Sequence, residues 1–475
     1  MRHRRVALAV VLVAVVLVAI VARNASARRT ASPVVTPASA TRADDGVWFC
    51  PGAPPQYQHR NGVVTFANIG TSSATIAVTD LPDKGNAARI SFAVGARSTI
   101  TKTRDQLGPP GALTVETFGS RVVVEEGIEG VGAVDSASCA PSAASHAYFA
   151  AGTTVQGVQQ WLVIDNPFAS DAKVDVALQT DSGQRRPDVL QGLDIVGRSR
   201  YVVALDTLAV RMARVAVEVD ARLGTVVATQ TLVYSKTAGT PGVAMALGAP
   251  TANDTWAIAG GTTPPKSNVW LAIANVGSDD AQIDIEVHTS AKQPVVPPAL
   301  TVPEGSVSWL QLGGCSTRAP ATCVRIPDGA RYSIDVHSEQ QVPVVVQLLG
   351  HLGDTRSTIG LVTPMAQPQS ATEWDFARAR VGDFRQTTLF VYNPGAASAI
   401  VNLGIVHNKV VESPPGQVRV AVGPGQTVPI LVMQAGKRPV SDGAILLQST
   451  QPVLATRVIA GGTDTAASTG VPFGG

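Results

Sequence analysis

Apolar residues alternate with other residues ahead of an asparagine at four places in the chain: Val64–Asn68, Leu162–Asn166, Leu271–Asn275 and Leu389–Asn393. Six residues after each asparagine stands an alanine (Ala74, Ala172, Ala281, Ala399). The eighth and tenth residues are aliphatic, as Ile76/Val78, Val174/Val176, Ile283/Ile285 and Val401/Leu403. A period of two on both sides of a short gap predicts a β-hairpin with one buried face. Asn68, Asn166, Asn275 and Asn393 close the first strand. Their side chains bond to nearby backbone and tolerate left-handed geometry, and Gly70, Pro167, Gly277 and Pro394 continue the turn. These asparagines are therefore expected to define the repeat structurally, their amides held by the loop backbone.

Each hairpin has an aromatic opening ahead of it, Trp48-Phe49-Cys50, Tyr148-Phe149-Ala150, Trp256-Ala257-Ile258 or Trp374-Asp375-Phe376, and two alternating strands behind it, such as Val215–Val219 and Thr225–Ala228. Six or seven short strands in each ~100 residues predict a sandwich of immunoglobulin-like type. The asparagines are 98, 109 and 118 residues apart, too far for propeller blades. The expected fold is all-β: four tandem immunoglobulin-like β-sandwich modules after an N-terminal transmembrane helix. The expected boundaries are 1–27 for a basic cytoplasmic end and signal-anchor, 28–46 for a disordered stalk, and 47–140, 146–240, 255–350 and 373–460 for the modules.

The apolar run Val6–Ala22 follows Arg2, Arg4 and Arg5 and has 17 residues. That is at the short end of membrane-spanning segments and long for the core of a cleavable signal. The expected reading is a single-pass plasma-membrane anchor with the C-terminal bulk extracytoplasmic; the alternative is secretion after cleavage near Ala25-Ser26-Ala27. From Gly46 onward there are 30 basic and 33 acidic residues. A nearly neutral surface excludes nucleic acid as a partner, because phosphate neutralisation needs a basic face.

Four cysteines suit an oxidising compartment, and three pairings are open. Cys50 opens the first module and Cys139 follows its last strand, whereas Cys315 and Cys323 flank one loop of the third. The expected disulfides are therefore Cys50–Cys139 and Cys315–Cys323. No CxxC and no cysteine with histidine at ligand spacing occurs, so neither a metal nor a cofactor is expected. The histidines, His3, His59, His146, His288, His337, His351 and His407, fall in no nucleophile motif. Glu125-Glu126 and Asp279-Asp280 are adjacent acids of the kind a glycosidase uses in pairs, but neighbours on a strand face opposite ways. The chain is not expected to be an enzyme. Trp161, Trp270, Phe390 and Tyr392 alternate onto the hairpin face opposite the core and are candidate partner-binding residues; packing against a linker or neighbouring module is the plainer reading.

The run Tyr148–Thr154, followed by Trp161–Pro167 and Ala172–Val176, is similar to repeated modules of bacterial cell-surface proteins. The whole chain resembles the DUF5719 family of uncharacterised actinobacterial envelope proteins, although the glutamate usual in the module opening is missing from every copy. The resemblance implies a membrane-anchored extracytoplasmic protein of a Gram-positive bacterium and carries no activity with it. The expected function is a non-catalytic envelope scaffold or binding protein, attached through Val6–Ala22 and engaging polysaccharide or a protein partner. The alternatives are an accessory subunit of a membrane-bound biosynthetic enzyme and, less strongly, a glycan-active enzyme with a site between modules.

Overall fold

The computed structural model describes residues 45–130, 133–239, 241–265, 267–291, 295–313, 315, 323–355, 358–380, 386–413, 416–434, 438–439, 443–460 and 464–473. Val6–Ala22 and the stalk to Asp44 lie outside the described residues, among which no helix is long and apolar enough to cross a membrane. The described residues form one compact unit.

The described chain is all-β and antiparallel. Its first part holds β1 (Gly46–Cys50), helix α1 (Pro55–Asn61), β2 (Gly62–Asn68), β3 (Ala74–Pro82), β4 (Ala88–Val94), β5 (Ser98–Thr103), helix α2 (Arg104–Leu107), β6 (Gly111–Phe118), β7 (Val122–Gly130) and β8 (Ala133–Ser138). The strands make two sheets, β1-β6-β3-β4 and β5-β2-β7-β8. The same two-sheet order occurs three more times. Strands equivalent to β2, β7 and β8 are Val158–Asn166, Val227–Tyr234 and Gly242–Leu247 in the second unit, then Asn268–Asn275, Val344–Thr355 and Thr358–Val362 in the third. In the fourth, Gln386–Tyr392 plays the part of β2, Thr465–Thr469 that of β8, and the 17-residue strand Ala444–Ala460 serves both sheets.

Each repeat asparagine makes the same three bonds. Its Nδ2 donates to the carbonyl four residues on, at 2.8 Å in every copy, and to a strand carbonyl: Val94, Ile195, Val302 or Val422. Its Oδ1 accepts the N–H two residues on. The turn thus uses the whole amide, which leaves none for a ligand. Asn275→Ala strips partners from two carbonyls and one N–H, and is expected to cost about 1–3 kcal/mol, read from urea unfolding, with no change elsewhere in the repeat.

The modules do not extend in a row. The second sheet of each unit lies on the first sheet of the preceding one: Arg200 reaches the carbonyl of Pro51 at 2.7 Å, Gln347 accepts the N–H of Ala151 at 2.9 Å, and Tyr392 donates to Asp335. The second sheet of the first unit lies in turn on the first sheet of the fourth, where Glu125 accepts the N–H of Ala377 at 2.8 Å. The contacts close a cycle. At its centre β8 packs against Gly242–Leu247 and Thr465–Thr469, and Thr358–Val362 packs against the same two strands. The stretches Gly127 to Ser145 and Gly350 to Ala371 contain two of these central strands, Ala133–Ser138 and Thr358–Val362. Mutual covering explains why β2 is buried at every residue although its sequence predicts one buried face.

Candidate functional site

The positions five, three and one before each asparagine point at the neighbouring unit. This overturns the exposed reading for two of the four aromatics: Phe390 and Tyr392 are 6% and 1% exposed, covered by the first sheet of the third unit. Trp161 and Trp270 are half-buried, the latter tilted on Trp309 and edge-on to His351, with ring centres 6.1 and 5.5 Å away. The four rings therefore do not form one exposed face.

Where Phe390 meets the third unit, a cleft of about 380 Å³ opens between the third and fourth units. The strand Thr255–Thr262 carries a bulge between Ile258 and Gly261, with Gly261 at a φ of +131°. A side chain at Gly260 would put its Cβ 2.1 Å from the Tyr332 ring, so this wall depends on the glycine. Val269, Leu348, Leu352 and Val362 line the third unit's side, and Thr388, Phe390, Val458 and Ala467 the fourth's. Tyr332 is 2% exposed, and its hydroxyl takes no hydrogen bond from the described residues. Burial pushes that hydroxyl above its ordinary pKa. At the rim stand Gln386 and Arg331, which forms no ion pair with the described residues. The sequence signal for this site was the Gly260-Gly261 pair inside a strand, since paired glycines there mark a bulge or a close approach.

Beside the cleft, Glu286, His288 and Asp335 bring donor atoms within 4.8 Å of one another. His288 Nε2 lies 3.0 Å from Asp335 Oδ2, which also accepts the Tyr392 hydroxyl, and Asp335 raises the histidine pKa. This set fastens the fourth unit to the third. The other grouping, Cys50, Glu126 and Cys139, offers no thiolate because Cys50–Cys139 is a disulfide, as is Cys315–Cys323. Such pairs belong to an oxidising compartment.

Charged side chains are concentrated where units meet. Glu125 and Arg457, each 1% exposed, form a two-pronged ion pair at 2.9 and 3.2 Å. Glu126 faces the opposite way, accepts the N–H of Gly52 at 3.2 Å, and is pushed by burial to a pKa of about 7. The two acids therefore do not form a glycosidase pair. Asp135 accepts the N–H of Met245 at 2.7 Å and Asp464 that of Val134 at 2.9 Å, each bond joining two units. Burial raises both carboxyls, Asp464 to about 6, and also Asp165, whose oxygens take no hydrogen bond.

A protein-family profile described as "Family of unknown function (DUF5719)" matches residues 108–371, more than half of the chain. No curated protein matches. Among solved structures, the chain is similar to the Anabaena sensory rhodopsin transducer at 31% identity, covering 20% of this chain and 95% of that one, with a TM-score of 0.17. A Streptomyces avermitilis α-L-rhamnosidase complexed with L-rhamnose matches at 9% identity over 90% of this chain and 56% of that one, with a TM-score of 0.11. A tetra-tandem repeat from the extending region of a large adhesion protein matches at 11% identity over 90% and 99%, with a TM-score of 0.08. Superpositions this poor carry no argument about fold or activity.

Proposed function

The chain belongs to the DUF5719 family, whose function is unknown, and from that premise we propose a non-catalytic, membrane-anchored scaffold or binding protein of the bacterial cell envelope. In this reading Val6–Ala22 holds four immunoglobulin-like β-sandwich modules outside the membrane, and their cyclic packing presents polysaccharide or a protein partner with a rigid surface. The observation that supports it is the closed cycle of four two-sheet units, each covering a sheet of the next. Among the described residues, the lining of the cleft between the third and fourth units supplies one cation, Arg331, and no carboxylate, histidine, cysteine or lysine. That set suits recognition, whereas general acid–base chemistry needs a positioned titratable pair. The two disulfides support an extracytoplasmic site.

The test is a pull-down of residues 38–475 on isolated cell-wall polysaccharide and on detergent-solubilised envelope, beside a Trp161→Ala/Trp270→Ala variant. Retention on one of the two materials, at least tenfold weaker for the variant, is expected. Wild-type protein that washes off both overturns the binding reading.

A further inference from the structure

The scaffold reading leaves the cleft between the third and fourth units without an occupant, and the chemistry of its walls is specific. We propose that it binds a single-chain amphiphile with one anionic head, of the fatty-carboxylate class. The inference goes beyond the scaffold reading and does not depend on it.

A volume of about 380 Å³ is in the range of small-molecule sites, which run roughly from 300 to 1,000 Å³. The body of the cleft is aliphatic, with Val269, Leu348, Leu352 and Val362 on one side and Val458 and Ala467 on the other. A polyhydroxylated ligand would turn hydroxyls toward these walls and leave them unpaired, which disfavours a sugar. An alkyl chain loses nothing there and gains from every methylene removed from water.

The polar groups select the other end of the ligand. Arg331 is the one charged side chain among the described lining residues, it stands exposed at the rim, and no described carboxylate neutralises it. A guanidinium donates and never accepts, and its fork matches a carboxylate. Tyr332 belongs to the same lining, and its hydroxyl, which makes no hydrogen bond with the described residues, is a second donor there. Two donors with no competing anion among the described lining residues call for an acceptor-only head group. The opening is maintained by the bulge at Gly260 and Gly261, because a Cβ at Gly260 would collide with the Tyr332 ring.

The test is isothermal titration calorimetry of residues 38–475 with sodium octanoate and decanoate below their micelle concentrations, against 1-decanol as the uncharged control. Saturable binding of one equivalent is expected, tightening about fourfold per added methylene. Arg331→Gln should weaken decanoate at least tenfold and leave decanol unchanged, Arg331→Lys should restore most of the loss, and Thr388→Trp should abolish binding of both while the melting temperature stays within a few degrees. The inference is overturned if decanoate does not bind, if Thr388→Trp binds it as wild type does, or if decanol binds wild type as tightly as decanoate. None of these three substitutions should alter retention on wall polysaccharide, so this inference and the scaffold reading fail separately.

Discussion

Replacing Arg457 by methionine is expected to destabilise residues 38–475 by about 3–5 kcal/mol, because it leaves Glu125 as a buried carboxylate without its counter-ion. The guanidinium is 1% exposed and holds four groups at once: both oxygens of Glu125 in the first unit, the Arg378 carbonyl in the fourth, and the hydroxyls of Ser136 and Ser468 at 2.9 and 2.7 Å. It is therefore the pin of the contact that joins the last unit to the first. The loss should appear as a lower urea midpoint and as faster proteolytic release of the fourth unit. Adding Glu125→Gln to Arg457→Met should recover most of it, since glutamine is neutral and still accepts the N–H of Ala377. A single variant within about 1 kcal/mol of wild type would show that the closing contact carries no stability.

The repeat was legible because it is local. Strand alternation and a turn-closing asparagine lie within some fifteen residues, and both follow from backbone geometry that reappears in every copy. The cysteine pairing followed from which residues bracket a unit, and Cys50–Cys139 and Cys315–Cys323 are joined. What alternation could not show was the partner of the second face. Phe390 and Tyr392 sit on the outer side of their strand, as their parity requires, but that side meets another unit, Tyr392 donating to Asp335 57 residues earlier. The same limit applies to the charges. Glu125-Glu126 reads as a hydrophilic step on a strand, whereas cyclic packing buries one beside Arg457 and the other beside Gly52. The cleft was not read from the sequence: the Gly260-Gly261 pair marks a bulge within its own strand, but the opposite wall, Thr388 and Phe390, comes from a different unit.

Burying carboxyls between the units gives the molecule a directional response to pH, and its stability is expected to fall as pH rises from about 5 to 8. Glu126 has a folded-state pKa of about 7 against an ordinary value of 4.5, so the folded state holds the proton more tightly. Its favourable contribution is complete below 4.5, declines as pH rises, and is gone above about 7, a change on the order of 3 kcal/mol. Asp464, raised from 3.8 to about 6, acts in the same direction at lower pH, and so do Asp135 and Asp165, both raised by burial. His288, raised by Asp335, likewise favours the acid side. His351 opposes them: burial lowers it from 6.5 to about 4, so it withdraws stability as pH falls through that interval. Several carboxyls against one imidazole leave the balance on the acid side. Urea midpoints of residues 38–475 measured from pH 5 to 8 should therefore decline, and Glu126→Gln, which keeps an acceptor for the Gly52 N–H without a charge to bury, should flatten the limb near pH 7. A midpoint that rises with pH, or a slope that Glu126→Gln leaves unchanged, would mean that the carboxyls are relieved by water reaching the interfaces, and that the units are held less tightly than their packing implies.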